Sequence, residues 1–238
     1  MKVVKLNEKE WLVTEKKYRS IVTRDWFDPN YWQQQDAIDG QSLGRGTTYL
    51  FSHLNKGYVL RHYRRGGLVG KVIEKSYLFN GIQVTRAYRE LKLLKALRKK
   101  KLPVPKPVAA FVRVENLRYQ AAIVIRLIKN AQDLFHYLRQ KPLSEDQWQQ
   151  VGAMIKQFHE QGLDHADLNI HNIMLNAKGK FWLIDFDKSE LIRPNHPRLG
   201  KNLQRLLRSL RKEKEKHPDF QWQESDWAAL LLGYHEQQ

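Results

Sequence analysis

His165-Ala166-Asp167-Leu168-Asn169-Ile170-His171-Asn172, then Ile173-Met174-Leu175, and further on Phe181-Trp182-Leu183-Ile184-Asp185-Phe186-Asp187, is the most informative run of the chain. The two short apolar runs, joined by a turn at Asn176 to Gly179, read as strands. Before the first stands H-x-D-x-x-x-x-N, and after the second stands D-F-D. Taken singly, an Asp or His in a loop is a turn former or a solvated group. Set at this spacing around strand, turn and strand, the same residues form a far more specific pattern.

Helical signals surround this stretch. Ser144-Glu-Asp-Gln147 is a capping box that opens a helix with Trp148, Val151, Ile155 and Phe158 inward, and Gly162 is placed to end it. A short helix is expected at Leu134 to Leu138, and two more at Leu199–Lys216 and Ser225–Tyr234. Toward the N-terminus the character is β-rich. Asp28-Pro29 reads as a cap followed by proline at the first helical position, opening a helix through Tyr31, Trp32 and Ala37 that ends near Asp39-Gly40. A glycine-rich turn from Gly40 to Gly46 then runs into Thr47–Phe51, and a turn at Asn55 to Gly57 leads to Tyr58–Tyr63. From Gln83 to Lys100 the residues Val84, Ala87, Tyr88, Leu91 and Leu94 share one helical face, with Glu90 on its flank. Leu102-Pro-Val-Pro-Lys-Pro107 stops that helix, and Ala109–Val114 and Tyr119–Leu127 are strand candidates. These signals predict an α+β chain with a β-rich lobe over 1–128 and a helical lobe over 129–238.

Composition bounds the chemistry. The 238 residues carry 42 Lys+Arg against 25 Asp+Glu, a formal charge of +17, and no cysteine. A hydrophobic fraction of 42% suffices for a sizeable core. Without Cys, disulfides, thiolate metal sites and thiol nucleophiles are excluded, and a reducing compartment fits. The apolar stretch at Met1-Lys-Val-Val-Lys-Leu is too short for a signal-peptide core, and no run approaches the ~18 apolar residues of a membrane span. The charge favours an anionic partner: nucleic acid, a membrane surface or an acidic small molecule.

The paired motifs resemble the catalytic and metal-binding loops of the protein-kinase-like fold. The resemblance implies that Asp167 is the catalytic base, that Asn172 and Asp185 hold Mg²⁺, and that ATP binds between two lobes of a bilobal kinase-like fold. Gly44 and Gly46, with Gly40, are candidates for the loop covering the phosphates, although the same glycines also suit a plain hairpin turn, and no Walker A loop is present. Where kinase-like folds carry a lysine on the third strand this chain has Arg61, with Glu90 as the partner; Arg and Lys differ in reach and geometry. Arg64, Lys71 and Lys75 are alternative phosphate contacts. Ala166 replaces the arginine of regulated protein kinases, and the short sequence after Asp185 has no A-P-E. Both departures point to a small-molecule or glycolipid acceptor.

Over nearly its whole length the chain is similar to the Kdo kinases, which are grouped with the lipopolysaccharide-core heptose kinases. The features that carry this are Phe27-Asp28-Pro29-x-x-Trp32, Gly44-Arg45-Gly46, Arg61-His62-Tyr63-Arg64-Arg65-Gly66-Gly67 and His165-Ala166-Asp167-Leu168-Asn169. The resemblance implies ATP-dependent phosphorylation of the 4-hydroxyl of Kdo (3-deoxy-D-manno-octulosonic acid) on a lipid A precursor. The expected location is peripheral, at the cytoplasmic face of the inner membrane. The expected partners are the Kdo-lipid A precursor and the anionic inner-membrane surface, with no nucleic acid and no obligate protein partner. The basic helix Lys201–Lys216 is expected to pack Leu203, Leu206, Leu207 and Leu210 inward and could present its opposite face to lipid phosphates. Two other readings remain open: a kinase for another core sugar such as heptose, and a basic nucleic-acid-binding protein.

Overall fold

Tyr58-Val59-Leu60-Arg61 alternates in side-chain character, as a strand covered on both faces requires. In the computed structural model, which describes residues 1–43, 47–63 and 77–236, that run lies inside an antiparallel sheet. The described strands of this sheet are β1 (Lys2–Lys5), β2 (Glu10–Thr14), β3 (Ile38–Leu43), β4 (Thr47–His53), β5 (Lys56–His62), β6 (Tyr77–Leu78), β7 (Pro107–Glu115) and β8 (Arg118–Arg126). Their order is β1-β2-β7-β8-β5-β4-β3, with β6 also beside β8. Two helices belong to this region, α1 (Pro29–Gln34) and α2 (Arg86–Lys99).

One face of the sheet is closed by the segment around α1. Tyr58 and Leu60 of β5, Phe51 of β4 and Leu12 of β2 meet Trp26, Phe27 and Trp32 in one buried cluster. Trp32 stacks on Phe51 with ring centroids 4.1 Å apart, and its indole N–H donates to the Trp26 carbonyl at 3.0 Å. Buried aromatic groups of this size carry much of a small lobe's hydrophobic stabilisation, provided their polar atoms find partners. Asp28 caps α1 by accepting the Asn30 N–H at 3.0 Å, with Pro29 at the first helical position. The helix is shorter than the sequence suggests, ending at Gln34 because Asp36 turns into the left-handed region (φ 49°) and Ala37 N–H bonds back to the Trp32 carbonyl. Gly40 consequently sits within β3 and not in a turn.

Alternation sends Arg61 to the opposite face of β5. There α2 turns Ala87, Leu91 and Leu94 inward together with the carboxylate of Glu90. Val84 falls outside this helix and is exposed, because Thr85 is extended and its hydroxyl donates to the Ile82 carbonyl. The β4–β5 turn lies at Leu54-Asn55, both with positive φ, one residue earlier than the glycine suggests.

The chain divides into two compact units, residues 1–96 with 105–128, and residues 97–104 with 129–238. The segment 97–104 goes with the second because Leu102 and Val104 are buried and the Pro103 carbonyl accepts the N–H of Leu183. The second unit contains β9 (Ala131–Asp133), α3 (Leu134–Leu138), α4 (Glu145–Glu160), β10 (Leu163–Asp164), β11 (Ile173–Asn176), β12 (Phe181–Leu183), β13 (Glu190–Leu191), α5 (Arg198–Lys216) and α6 (Glu224–His235). Two small sheets, β12-β11-β9 and β10-β13, are antiparallel. The capping box at Ser144 and Gln147 forms as the sequence indicates, and Trp148, Val151, Ile155 and Phe158 are buried. Helix α5 buries Leu206 and Leu210 fully and Leu203 and Leu207 in part.

Helices α4 and α6 approach through glycine. A Cβ added at Gly152 would lie 2.0 Å from the Leu230 carbonyl oxygen, and one at Gly233 would lie 2.1 Å from that of Gln149. Either alanine must push backbone from backbone. Gly152→Ala and Gly233→Ala should each lower unfolding free energy by about 1–3 kcal/mol. Gly200→Ala in α5, where a Cβ meets nothing within 4 Å, should be neutral or stabilising. Urea denaturation of the three variants checks this contrast.

Candidate active site

The loop from Asp164 to Asn172 connects β10 to β11, and a run of backbone and side-chain bonds fixes its path. His165 is 1% exposed, and each of its polar atoms has a partner. Its Nδ1 accepts the Asp167 N–H at 3.2 Å, so the ring proton lies on Nε2, which faces the Ile184 carbonyl at 3.1 Å. Its backbone N–H donates to Asn202 Oδ1 at 2.8 Å, and its carbonyl accepts from Arg205 at 3.0 Å. Burial lowers the His165 pKa and thereby favours the neutral ring that this geometry requires.

Ile184 joins the two halves of the motif. While its carbonyl faces His165, its N–H donates to the Asn172 carbonyl at 3.0 Å. Asp185 follows directly, in a left-handed conformation (φ 59°). Asn172 in turn donates its side-chain N–H to the Asp167 carbonyl at 2.8 Å, and Asn169 donates to the same oxygen at 3.1 Å. These bonds tie Asp167 to Asn172 and Asn172 to the residue just before Asp185, with the Asp167 side chain exposed and Asn172 buried. Asp187 is half-buried, and its N–H approaches Asp185 Oδ1 at 3.4 Å.

The donor set suits a hard cation. The amide nitrogen of Asn172 is committed to the Asp167 carbonyl, so the atom this side chain could offer a cation is its Oδ1. Among the described residues no group of three or more His, Asp or Glu side chains is placed to hold an ion. A metal here would complete its shell from phosphate oxygens and water, as Mg²⁺ commonly does.

Within the first unit, Arg61 Nη2 lies 2.6 Å from both oxygens of Glu90, and the Tyr63 hydroxyl donates to the same carboxylate at 2.5 Å. Glu90 is buried, so this carboxylate is held by charge-assisted bonds and not by water. The Arg61 guanidinium also lies 5.3 Å from the Tyr63 ring. Gly44 and Gly46 lie outside the described residues, as do Arg64, Lys71 and Lys75.

Three supporting residues escaped the sequence reading. Asn202 of α5 is fully buried and bridges the His165 N–H to Asp164 Oδ1, while Arg205, one turn on, holds the His165 carbonyl. Ser189 accepts the Ala166 N–H at 3.1 Å. The available signal was a polar residue on the leucine face of α5, where an amide cannot stay unpaired.

A loop carrying Asp167 and fixed by a neutral imidazole, followed across a strand pair by Asp185, is the arrangement expected of a phosphotransferase of the kinase class. A family model described as lipopolysaccharide kinase (Kdo/WaaP) matches residues 29–234, and the chain belongs to that family. A 3-deoxy-D-manno-octulosonic acid kinase of Vibrio vulnificus (strain CMCP6) is 42% identical over 217 residues, covering 89% of each chain. The enzyme of the same name from Photobacterium damsela subsp. piscicida is 45% identical over 205 residues, covering 86% of this chain and 85% of its own. That of Haemophilus influenzae (strain 86-028NP) is 39% identical over 220 residues, covering 89% and 90%.

Beside this loop His159 of α4 is also buried, and burial lowers its pKa from 6.5 to about 4 against the opposing influence of Asn202 and Asp164. Its Nδ1 contacts the Tyr234 hydroxyl at 2.8 Å. The unfolded chain binds this proton more readily, so stability is fully present above pH 6.5 and is lost as pH falls toward 4. The loss from this residue should reach about 3 kcal/mol. Denaturant titrations at several pH values check it, and His159→Gln should flatten the slope over that window.

Proposed function

We propose that this chain transfers the γ-phosphoryl group of ATP to the 4-hydroxyl of a Kdo residue on a lipid A precursor, lipid IVA, during assembly of the lipopolysaccharide inner core. The observation that carries the reading is the bonded loop that ties Asp167 to Asn172 and Asn172 to the strand end before Asp185, in a chain whose relatives bear the name 3-deoxy-D-manno-octulosonic acid kinase. Asp167 accepts the proton of the acceptor hydroxyl as its oxygen bonds to the γ-phosphorus. The bond from that phosphorus to the β-γ bridging oxygen breaks, and ADP leaves. Asp167 is held through its backbone, and among the described residues its exposed carboxylate makes no hydrogen bond that would compete with the acceptor. Mg²⁺ bound by Asn172 and Asp185 would neutralise charge on the donor phosphates.

In the first unit, Arg61, oriented by Glu90 and Tyr63, supplies a fixed positive group for the donor phosphates, in the place where kinases usually carry lysine. Gly44 and Gly46 are assigned to the same nucleotide. The acceptor is an anionic glycolipid, so the proposed workplace is the cytoplasmic face of the inner membrane, with the protein peripheral. No helix among the described residues is long and apolar enough to cross a membrane.

Asp167→Asn should lower kcat by at least about a thousandfold while leaving thermal unfolding unchanged; near-normal turnover in that variant would overturn the assignment. Labelled ATP incubated with Kdo-bearing lipid IVA, with lipid IVA lacking Kdo, and with a heptose-bearing acceptor tests the substrate. Label should enter only the first, at the 4-hydroxyl. Entry only into the heptose acceptor would show that the catalytic reading holds and the acceptor reading fails.

A further inference from the structure

Helix α5 runs alongside the loop that carries Asp167 and meets it at four points. Asn202 accepts the His165 N–H at 2.8 Å, and Arg205 Nη1 donates to the His165 carbonyl at 3.0 Å. Ser209 Oγ accepts the Ile170 N–H at 3.3 Å, and Glu213 lies 3.4 Å from His171 Nε2. Spacings of three and four residues put these side chains on one face of the helix. Three of them need nothing further. Asn202 and Ser209 carry no charge, and the buried Glu213 carboxylate lies between two imidazoles, with His217 Nε2 at 3.5 Å.

Arg205 is the exception. It is half-buried, and among the described residues its one bonded partner is an uncharged carbonyl. Other cations of α5 are answered in the ordinary ways. Arg198 lies 2.6 Å from Asp164 and 2.9 Å from Glu190, Arg211 lies 2.8 Å from Glu224, and Lys201, Arg208 and Lys212 are exposed to water. A charge drawn partly out of water without an acid beside it costs free energy, and a glutamine would hold the same carbonyl without that cost. The Arg205 Nε and Nη2, which have no partner among the described residues, are open to solvent. These two nitrogens form one edge of the planar guanidinium, the edge from which a carboxylate accepts two parallel bonds.

Asp167 defines what that edge is near. The Asp167 N–H is bonded to the ring of the same His165 whose carbonyl holds Arg205, so the guanidinium is anchored to backbone two residues from the proton-accepting carboxylate. An acceptor that brings its own carboxylate to this place is repelled by Asp167 and by the donor phosphates unless a cation receives it. Kdo is such an acceptor, because its carboxylate is carried on C2, two ring carbons from the 4-hydroxyl. We infer that Arg205 is a specificity-determining residue that binds the carboxylate of the sugar-acid acceptor through Nε and Nη2 while Nη1 stays on the His165 carbonyl. It separates a sugar acid from a neutral heptose at one catalytic loop. The inference rests on the Kdo reading proposed above and names the residue that selects the acceptor.

The test measures kcat/KM of the full chain with ATP and two acceptors: Kdo-bearing lipid IVA, and the same molecule with the Kdo carboxylate converted to its amide. The wild type should favour the carboxylate by about tenfold or more, mainly through KM. In Arg205→Gln that preference should fall to about one. Any loss of kcat from the slackened His165 contact is common to both acceptors and cancels in the ratio. Arg205→Lys, which keeps the charge without the fork, should show an intermediate preference, and it carries the test if the glutamine variant does not fold. Arg211→Gln, which loses only the pair with Glu224, should keep the wild-type ratio. Equal use of the two acceptors by the wild type, or a preference undiminished in the Arg205 variants, would overturn this assignment and leave the Kdo reading standing. A defect of Arg205→Gln that disappears only on an acceptor stripped of its lipid phosphates would assign the residue to phosphate and overturn the carboxylate. Absence of transfer to either acceptor would overturn the Kdo reading as well.

Discussion

The imidazole of His165 is held neutral, and much of the second unit's order depends on that single protonation state. A ring with one donor and one acceptor can satisfy both the Asp167 N–H and the Ile184 carbonyl, whereas an imidazolium, with two donors, would leave the Asp167 N–H facing another N–H. Burial removes the water that would stabilise the charged form, so the pKa falls and the required tautomer persists. The consequence reaches both halves of the motif. Asp167 is fixed on one side, and Ile184, pinned on the other, sets Asn172 and Asp185 next to each other. Placement of three oxygen-bearing side chains thus follows from satisfying polar atoms in a dry environment, not from contacts among those side chains.

The first unit solves a related problem with an ion pair. Glu90 is buried on α2, where an uncompensated carboxylate would be strongly destabilising. Arg61 and Tyr63, placed on that face of the sheet by alternation, supply the compensation. The Phe27-Asp28-Pro29-x-x-Trp32 run has a structural part in the same unit. Asp28 caps α1, while Phe27 and Trp32 fill the opposite face of the sheet. Its value as a family mark therefore comes from packing and capping, and it contributes no reacting group.

Several features were legible before any coordinates, and the reasons are local. The capping box at Ser144 and the period of Trp148, Val151, Ile155 and Phe158 specify α4 by themselves, since both depend on neighbours within one helix. The hairpin β11–β12 and the bounds of α5 were readable for the same reason. Helix α1 was read too long, because the left-handed turn at Asp36 is favoured by the bond from Ala37 back to Trp32 and has no glycine to announce it. Strand β3 reads from the sequence as a helix end and a turn, and β1, β2, β6, β9, β10 and β13 went unread. They are short, and what makes them strands is a partner distant in sequence, as when β10 pairs with β13.

The charge of +17 is a property of composition, and composition alone could not say which basic groups face what. By itself the sequence determined the chemistry available: which side chains carry oxygen donors, at what spacing, and which thiol reactions are excluded. Tertiary structure decided which of those groups are held and by what. Asn202 and Arg205 reach the loop at His165 from a helix more than thirty positions away, and Arg61 meets Glu90 only through the packing of α2 on the sheet. Local pattern encodes what depends on neighbours in the chain. Satisfaction of buried polar atoms depends on neighbours in space, and only the fold supplies those.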